Sequence, residues 1–155
     1  MTSVFTLALV LAALITVAQP ADPVRVVVEG GRDYYARIAR EASAHNFGRI
    51  TRTLGHVPDQ PITIVITGDD KRFRELTRGV LPDWSAAAAL DESTIVVSPL
   101  EGHSMSLERI LAHEIVHCVI KDAAGDTPVP RWFHEGCAEY LSGGWGITSR
   151  LYMVW

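Results

Sequence analysis

The chain has 155 residues, 48% hydrophobic and 21% charged, with 12 Gly and 8 Pro, which excludes a collagen-like repeat and a charged disordered tail and fits one compact domain. Lys and Arg number 14 against 18 Asp and Glu, so the net charge of −4 lacks the positive field with which a general nucleic-acid binder displaces counterions, and no nucleic-acid partner is expected. Two cysteines, Cys118 and Cys137, are too few for a disulfide-stapled miniprotein or a Cys-rich zinc module.

Val4 to Val17 is an uncharged, mostly apolar run of 14 residues, long enough for the hydrophobic stretch of a signal peptide and short of the ~20 residues of a membrane span. Small residues at Thr16 and Ala18 suit a cleavage site, so residues 1–18 are expected to be a leader and 19–155 the mature domain, secreted or periplasmic. An uncleaved anchor is the alternative, because the first Arg comes only at position 25; a membrane would be a partner in that case alone. No Cys follows the run, so a lipoprotein anchor is not supported.

Along the mature chain, Arg25 to Glu29 is a β-branched run closed by Gly30-Gly31 and reads as a strand with a turn. From Asp33 to Leu54 the apolar residues Tyr35, Ile38, Ala39, Ala42, Phe47, Ile50 and Leu54 recur mostly at three- and four-residue steps. The spacing predicts an amphipathic helix capped by Asp33, stopped at Gly55 and open to a break near Gly48. Its Arg37, Arg40, Arg49 and Arg52 read as a solvated face. Pro61 to Thr67 is the clearest strand, and Gly68-Asp69-Asp70 opens a short helix carrying Phe73 and Leu76. Ala86 to Leu90 and Thr94 to Ser98 pair as a hairpin across Asp91-Glu92-Ser93, since the alanine run between breakers is too short for a helix of its own.

The chemistry lies further on. Ser106 caps a helix expected to run to about Ala123, and that helix carries His113-Glu114-Ile115-Val116-His117. Four residues at ~100° each place the second His only ~40° past the first and ~6 Å along the axis, so both imidazoles can converge on one ion. Glu114, one step round, can hold a water at that ion without occupying it, as a general base must. The plain alternative is a buried His pair on a core helix. Catalytic zinc takes three protein ligands and leaves one position open, and the helix expected from Pro130 to Gly143 offers Glu135, 18 positions after His117. Cys118 and Cys137 read as free thiols rather than a disulfide between the two helices, and Trp132, Phe133 and Tyr140 as core.

The sequence HEIVH followed by PRWFHEGCAEY, within residues 113 to 140, resembles the gluzincin metallopeptidases. The likeness is to the branch with the aminopeptidases and the small bacterial peptidase MA-like domains, whose third ligand sits in a W-[LF]-x-E-G-x-A-x-[YF] segment. The His117-to-Glu135 spacing is one residue shorter than in the aminopeptidases. The resemblance implies an α+β, zincin-like domain: a small twisted sheet with packed helices, an HExxH active-site helix, and Thr94 to Ser98 as the edge strand that holds substrate. It makes His113, His117 and Glu135 zinc ligands and Glu114 the catalytic base. Glu139, one turn after Glu135, falls where relatives place an acid bonded to a liganding His; the alternative is an ordinary exposed helix Glu. His134 stands where relatives often have Asn, and reads as a neighbour of the site or a surface residue rather than a fourth ligand. Relatives also supply a Tyr or His to the oxyanion, for which Tyr152 and His103 are the candidates.

The function expected from these motifs is zinc-dependent hydrolysis of peptide bonds in a peptide or protein substrate. Two alternatives stand beside it: a non-catalytic domain that keeps zinc for structure, and a truncated part of a longer peptidase, suggested by the apolar ending Leu151 to Trp155.

Overall fold

Val24–Val28 forms β1, Ile62–Ile66 β2, Ala87–Ala89 β3 and Thr94–Val97 β4; the helices are α1 (Asp33–Leu54), α2 (Asp70–Leu76), α3 (Leu107–Ala124) and α4 (Arg131–Leu141). The computed structural model describes residues 22–31, 33–81, 85–99 and 106–144. The expected leader, residues 1–18, and both oxyanion candidates, His103 and Tyr152, lie outside the described residues. No helix among the described residues is long and apolar enough to cross a membrane.

The described residues make an α+β structure whose mixed four-stranded sheet has the order β1-β2-β4-β3. β1, β2 and β4 run parallel, each pair separated in sequence by a connection long enough to cross over, and β3 turns back antiparallel to β4. Register and side-chain alternation together define the core face. Val26, Ile64 and Ile95 lie side by side across three strands, as do Val28, Ile66 and Val97, and Ala89 and Ala87 extend these two rows onto β3. Ile62, Ile64, Ile66, Ile95 and Val97 are fully buried in one cluster with residues of α1, α3 and α4. Each such side chain stabilises the fold by ~1.5–3 kcal/mol relative to exposure.

α1 and α3 are the two main helices against that face. α1 contributes Ala39, Ala42, Phe47 and Ile50 to the core. It runs unbroken through Gly48, so the break that the sequence leaves open does not occur: Phe47 and Ile50 are buried on either side and Thr51 Oγ1 donates to the Phe47 carbonyl at 2.8 Å, so burial outweighs glycine's low helix propensity. Asp33 is the first helical residue rather than the cap. Gly55, at φ +69°, ends the helix in the left-handed conformation that glycine adopts without a Cβ penalty. Of the four arginines read as a solvated face, Arg49 instead bridges helices: its Nη2 donates to the Leu141 carbonyl of α4 at 2.6 Å and to Asn46 Oδ1 at 2.9 Å.

The hairpin forms as its turn residues imply, with Asp91 Oδ1 accepting from the Ser93 amide at 2.8 Å. Its place in the sheet differs from expectation. β4 lies between β2 and β3, so Thr94–Val97 is an interior strand and the edge belongs to Ala87–Ala89. The bulky Ile95, Val96 and Val97 are buried as central strands require, whereas three alanines suffice at an edge beside a helix. α3 is capped as read: Ser106 Oγ accepts from the Arg109 amide at 3.3 Å, and Gly125 follows the last turn. Pro130 caps α4 rather than starting it, its carbonyl accepting from the Phe133 amide at 3.0 Å.

Candidate metal centre

α3 is apolar on most of its surface: Leu111, Ala112, Ile115, Val116, Cys118 and Val119 are all buried. Four of its remaining polar residues, His113, Glu114, His117 and Lys121, form one half-buried stripe, which the 3.6-residue period keeps on adjoining sides of the helix. Polar groups on so apolar a helix need partners, and α4 and β3 supply them.

From α4, Glu135 turns its carboxylate toward both histidines. Glu135 Oε2 lies 3.6 Å from His113 Nε2 and 3.9 Å from His117 Nε2, and the three potential donor atoms all fall within 4.8 Å of one another. Donors around tetrahedral zinc, each at ~2.0–2.2 Å from the metal, stand ~3.3 Å apart, so the cluster has the size and the chemistry for one ion after small side-chain adjustments. The imidazole rings meet edge to face with centroids 4.9 Å apart. The site is partly open to solvent: the His117 side chain is 14% exposed, His113 26% and Glu135 47%. Glu135 Oε1 faces Arg131 Nε at 3.8 Å, an exposed i,i+4 pair of small energetic weight.

Burial sets the protonation of the stripe. It holds His117 down at about 3, with the charges of His113, His134 and Lys121 acting in the same direction. His113 is also lowered, chiefly by burial, although Glu135 and Glu139 pull the other way. Both imidazoles are therefore neutral near pH 7, the form that ligates a metal. Glu114 is pushed up to about 7 by burial, against the stabilising hydrogen bond from the Ala89 amide and the charge of Lys121, with Glu135 adding to the rise. Its Oε2 accepts from Ala89 N–H at 2.8 Å, so the edge strand holds the carboxylate, and Glu135 lies near enough to act on it through its charge. A carboxyl that titrates near neutrality can both accept and return a proton.

The structure thus brings together His113, His117 and Glu135, while Glu114, on the same helix as the histidines, is tied to the edge strand. Glu139 stands off: its Oε2 lies 3.3 Å from Arg109 Nη2, and it acts on His113 through its charge. Among the described residues no histidine donates a hydrogen bond to Glu139, whose Oε2 accepts from Arg109. His134 places its ring centroid 5.6 Å from that of His117 and is not one of the grouped donors. Cys118 and Cys137 are free thiols; Cys118 is buried, its thiol pushed up to about 12 by burial, and its Sγ donates to the Asp91 carbonyl. It serves as packing and not as a ligand.

The aromatic residues of α4 correct the reading of them as core. Trp132 is 66% exposed, Tyr140 64%, and Phe133 is exposed as well, because α4 buries only Ala138 and Leu141 and turns its aromatics outward. With Thr53, Leu54 and Cys137 they line an apolar groove of about 400 Å3 that none of the metal-site donors enters. The sequence alone gives Lys121 no role, although its seven-residue distance from Glu114 puts it on the same side of α3. Its Nζ donates to the Ala89 carbonyl at 2.7 Å.

No protein-family model matches the chain, and no curated protein or solved structure matches it significantly.

Proposed function

We propose that the protein is a zinc-dependent peptidase with a zincin-like, gluzincin-type site, acting on a peptide or protein substrate outside the cytoplasm. The observation that carries this reading is the convergence of His113, His117 and Glu135, from two helices, beside a buried Glu114 that the edge strand holds in place. Three donors leave room for a further ligand, whereas zinc kept for structure takes four protein donors, mostly Cys and His. A zinc ion bound there supplies a Lewis acid that polarises the scissile carbonyl and acidifies water. Glu114 takes the proton of the attacking water and delivers it to the leaving amine. The Ala89 N–H fixes Oε2, leaving the second carboxylate oxygen to meet the water. Burial of His113 and His117 keeps both rings neutral, and Glu135 provides the anionic donor.

The test pairs metal content with turnover. Wild-type protein loaded with zinc is expected to hold one ion per chain by elemental analysis and to cleave fluorescein-labelled casein. Glu114→Gln is expected to retain the zinc and lose turnover by about 100-fold or more, the range of a lost general base. Casein cleavage at near wild-type rate by Glu114→Gln would remove the base, and zinc binding with no cleavage of any peptide by the wild type would favour the non-catalytic zinc domain.

A further inference from the structure

The edge strand β3 is held from outside the sheet. Leu90 N donates to the Thr94 carbonyl and Ser98 N to the Ala86 carbonyl, both at 2.9 Å, so Ala86, Ala88 and Leu90 face β4. Alternation then turns the N–H and C=O of Ala87 and Ala89 to the open side. At Ala89 both groups are taken by α3: the N–H donates to Glu114 Oε2 at 2.8 Å and the carbonyl accepts from Lys121 Nζ at 2.7 Å. Glu114 and Lys121 are seven residues apart, ~20° short of two full turns and ~10 Å along the axis, so one face of α3 grips one residue of β3 from both ends.

A strand of three alanines paired on one side has little of its own to keep it in position. Small side chains add little packing, and an edge lacks a second ladder. The half-buried Lys121 supplies what the strand lacks, a charge-assisted hydrogen bond on its open side.

We propose that Lys121 is a positioning residue for Glu114: by holding the Ala89 carbonyl it seats the edge strand so that the Ala89 N–H orients the Glu114 carboxylate. Its catalytic consequence rests on the peptidase reading; the clamp itself does not. Lys121 is not one of the grouped donors; it reaches Glu114 through one backbone residue, and its charge also acts on Glu114 and His117.

Lys121→Met removes the donor and keeps the stem, and Lys121→Arg restores a donor of similar reach. In the zinc-loaded protein, amide hydrogen exchange at Ala89 is followed by NMR, with zinc content, and with kcat and KM for fluorescein-labelled casein. Lys121→Met is expected to raise exchange at Ala89 about tenfold, to leave zinc at one per chain, and to lower kcat by about 10–100-fold with KM within about twofold, the scale on which an outer partner of a site acts. Lys121→Arg is expected to recover most of both losses. Unchanged exchange at Ala89 in Lys121→Met overturns the clamp, as does a fall in kcat that merely tracks lost zinc. Should Lys121→Met not fold, Lys121→Gln, too short to reach Ala89, takes its place under the same criteria. Raised Ala89 exchange together with a wild type that cleaves no peptide supports the clamp and defeats only the peptidase reading.

Discussion

His113 and His117 leave one helix four residues apart, whereas Glu135 reaches them from a second helix, and the two helices hold their donors by different physics. α3 is embedded: eight of its residues are buried, and the helical period alone makes the two imidazoles neighbours. α4 buries only Ala138 and Leu141. Its position rests on those two side chains and the partly buried Cys137, on Arg49 reaching the Leu141 carbonyl and on the part-buried Arg109–Glu139 pair. The histidine pair is thus a local property of the chain, and the third donor is a property of helix–helix packing.

The sharpest break between the two should come from removing donors. His113→Ala with His117→Ala is expected to abolish zinc binding in elemental analysis. Glu135→Ala should weaken binding by more than about 100-fold, beyond what an outer partner costs, yet leave a weak site on α3 that a competing chelator can titrate. Equal loss in both variants would mean that α3 holds no site of its own.

The two carboxylates near the metal centre also differ, since Glu114 is buried and Glu135 half-exposed. Folding raises Glu114 from its ordinary 4.5 to about 7, so the folded metal-free protein binds more protons than the unfolded chain between those values. This contribution to stability is present in full below pH 4.5 and is lost as pH rises through 7. Glu114→Gln keeps an acceptor for Ala89 without the buried charge. Urea unfolding of the metal-free variant should therefore show it gaining about 3 kcal/mol on wild type between pH 4.5 and pH 8. His117, held down at about 3, acts in the opposite sense: its contribution is lost as pH falls from 6.5 toward 3, equally in both proteins. A difference between the two proteins that does not change with pH would show that Glu114 is not desolvated in solution.

Leu141→Ala tests the seat of α4 without touching a donor. The cavity should cost about 2–3 kcal/mol in urea unfolding and loosen zinc about tenfold as Glu135 moves. Unaltered zinc affinity would assign the placement of Glu135 to the polar contacts instead. The smallest effect is expected from Trp132→Ala on the outer side of α4, within about 0.5 kcal/mol of wild type in the same assay. A larger loss would mean that the aromatic groove is covered in solution.

Most elements were legible in the sequence because their signals are local. Ser106 capping α3, Gly55 ending α1, and Asp91-Glu92-Ser93 turning the hairpin all act within a few residues. What failed were statements about neighbours distant in the chain. Thr94–Val97 pairs on both sides because β2 happens to lie beside it, and Trp132, Phe133 and Tyr140 are exposed because α4 has only one packed face. Arg49 and Lys121 look like ordinary helix-surface cations until the carbonyls of Leu141 and Ala89 are placed beside them.

By itself the sequence determined the helical stripe that joins His113, Glu114 and His117, since a period of 3.6 residues needs no tertiary context. It also placed Glu135 on a following helix. Tertiary structure alone decided that this carboxylate comes within 4 Å of both histidines, that burial brings Glu114 to titrate near neutrality, and that Ala89 sits between Glu114 and Lys121. Distances between elements and the loss of solvent around a charge are set by how the layers pack, and no local pattern of residues encodes them.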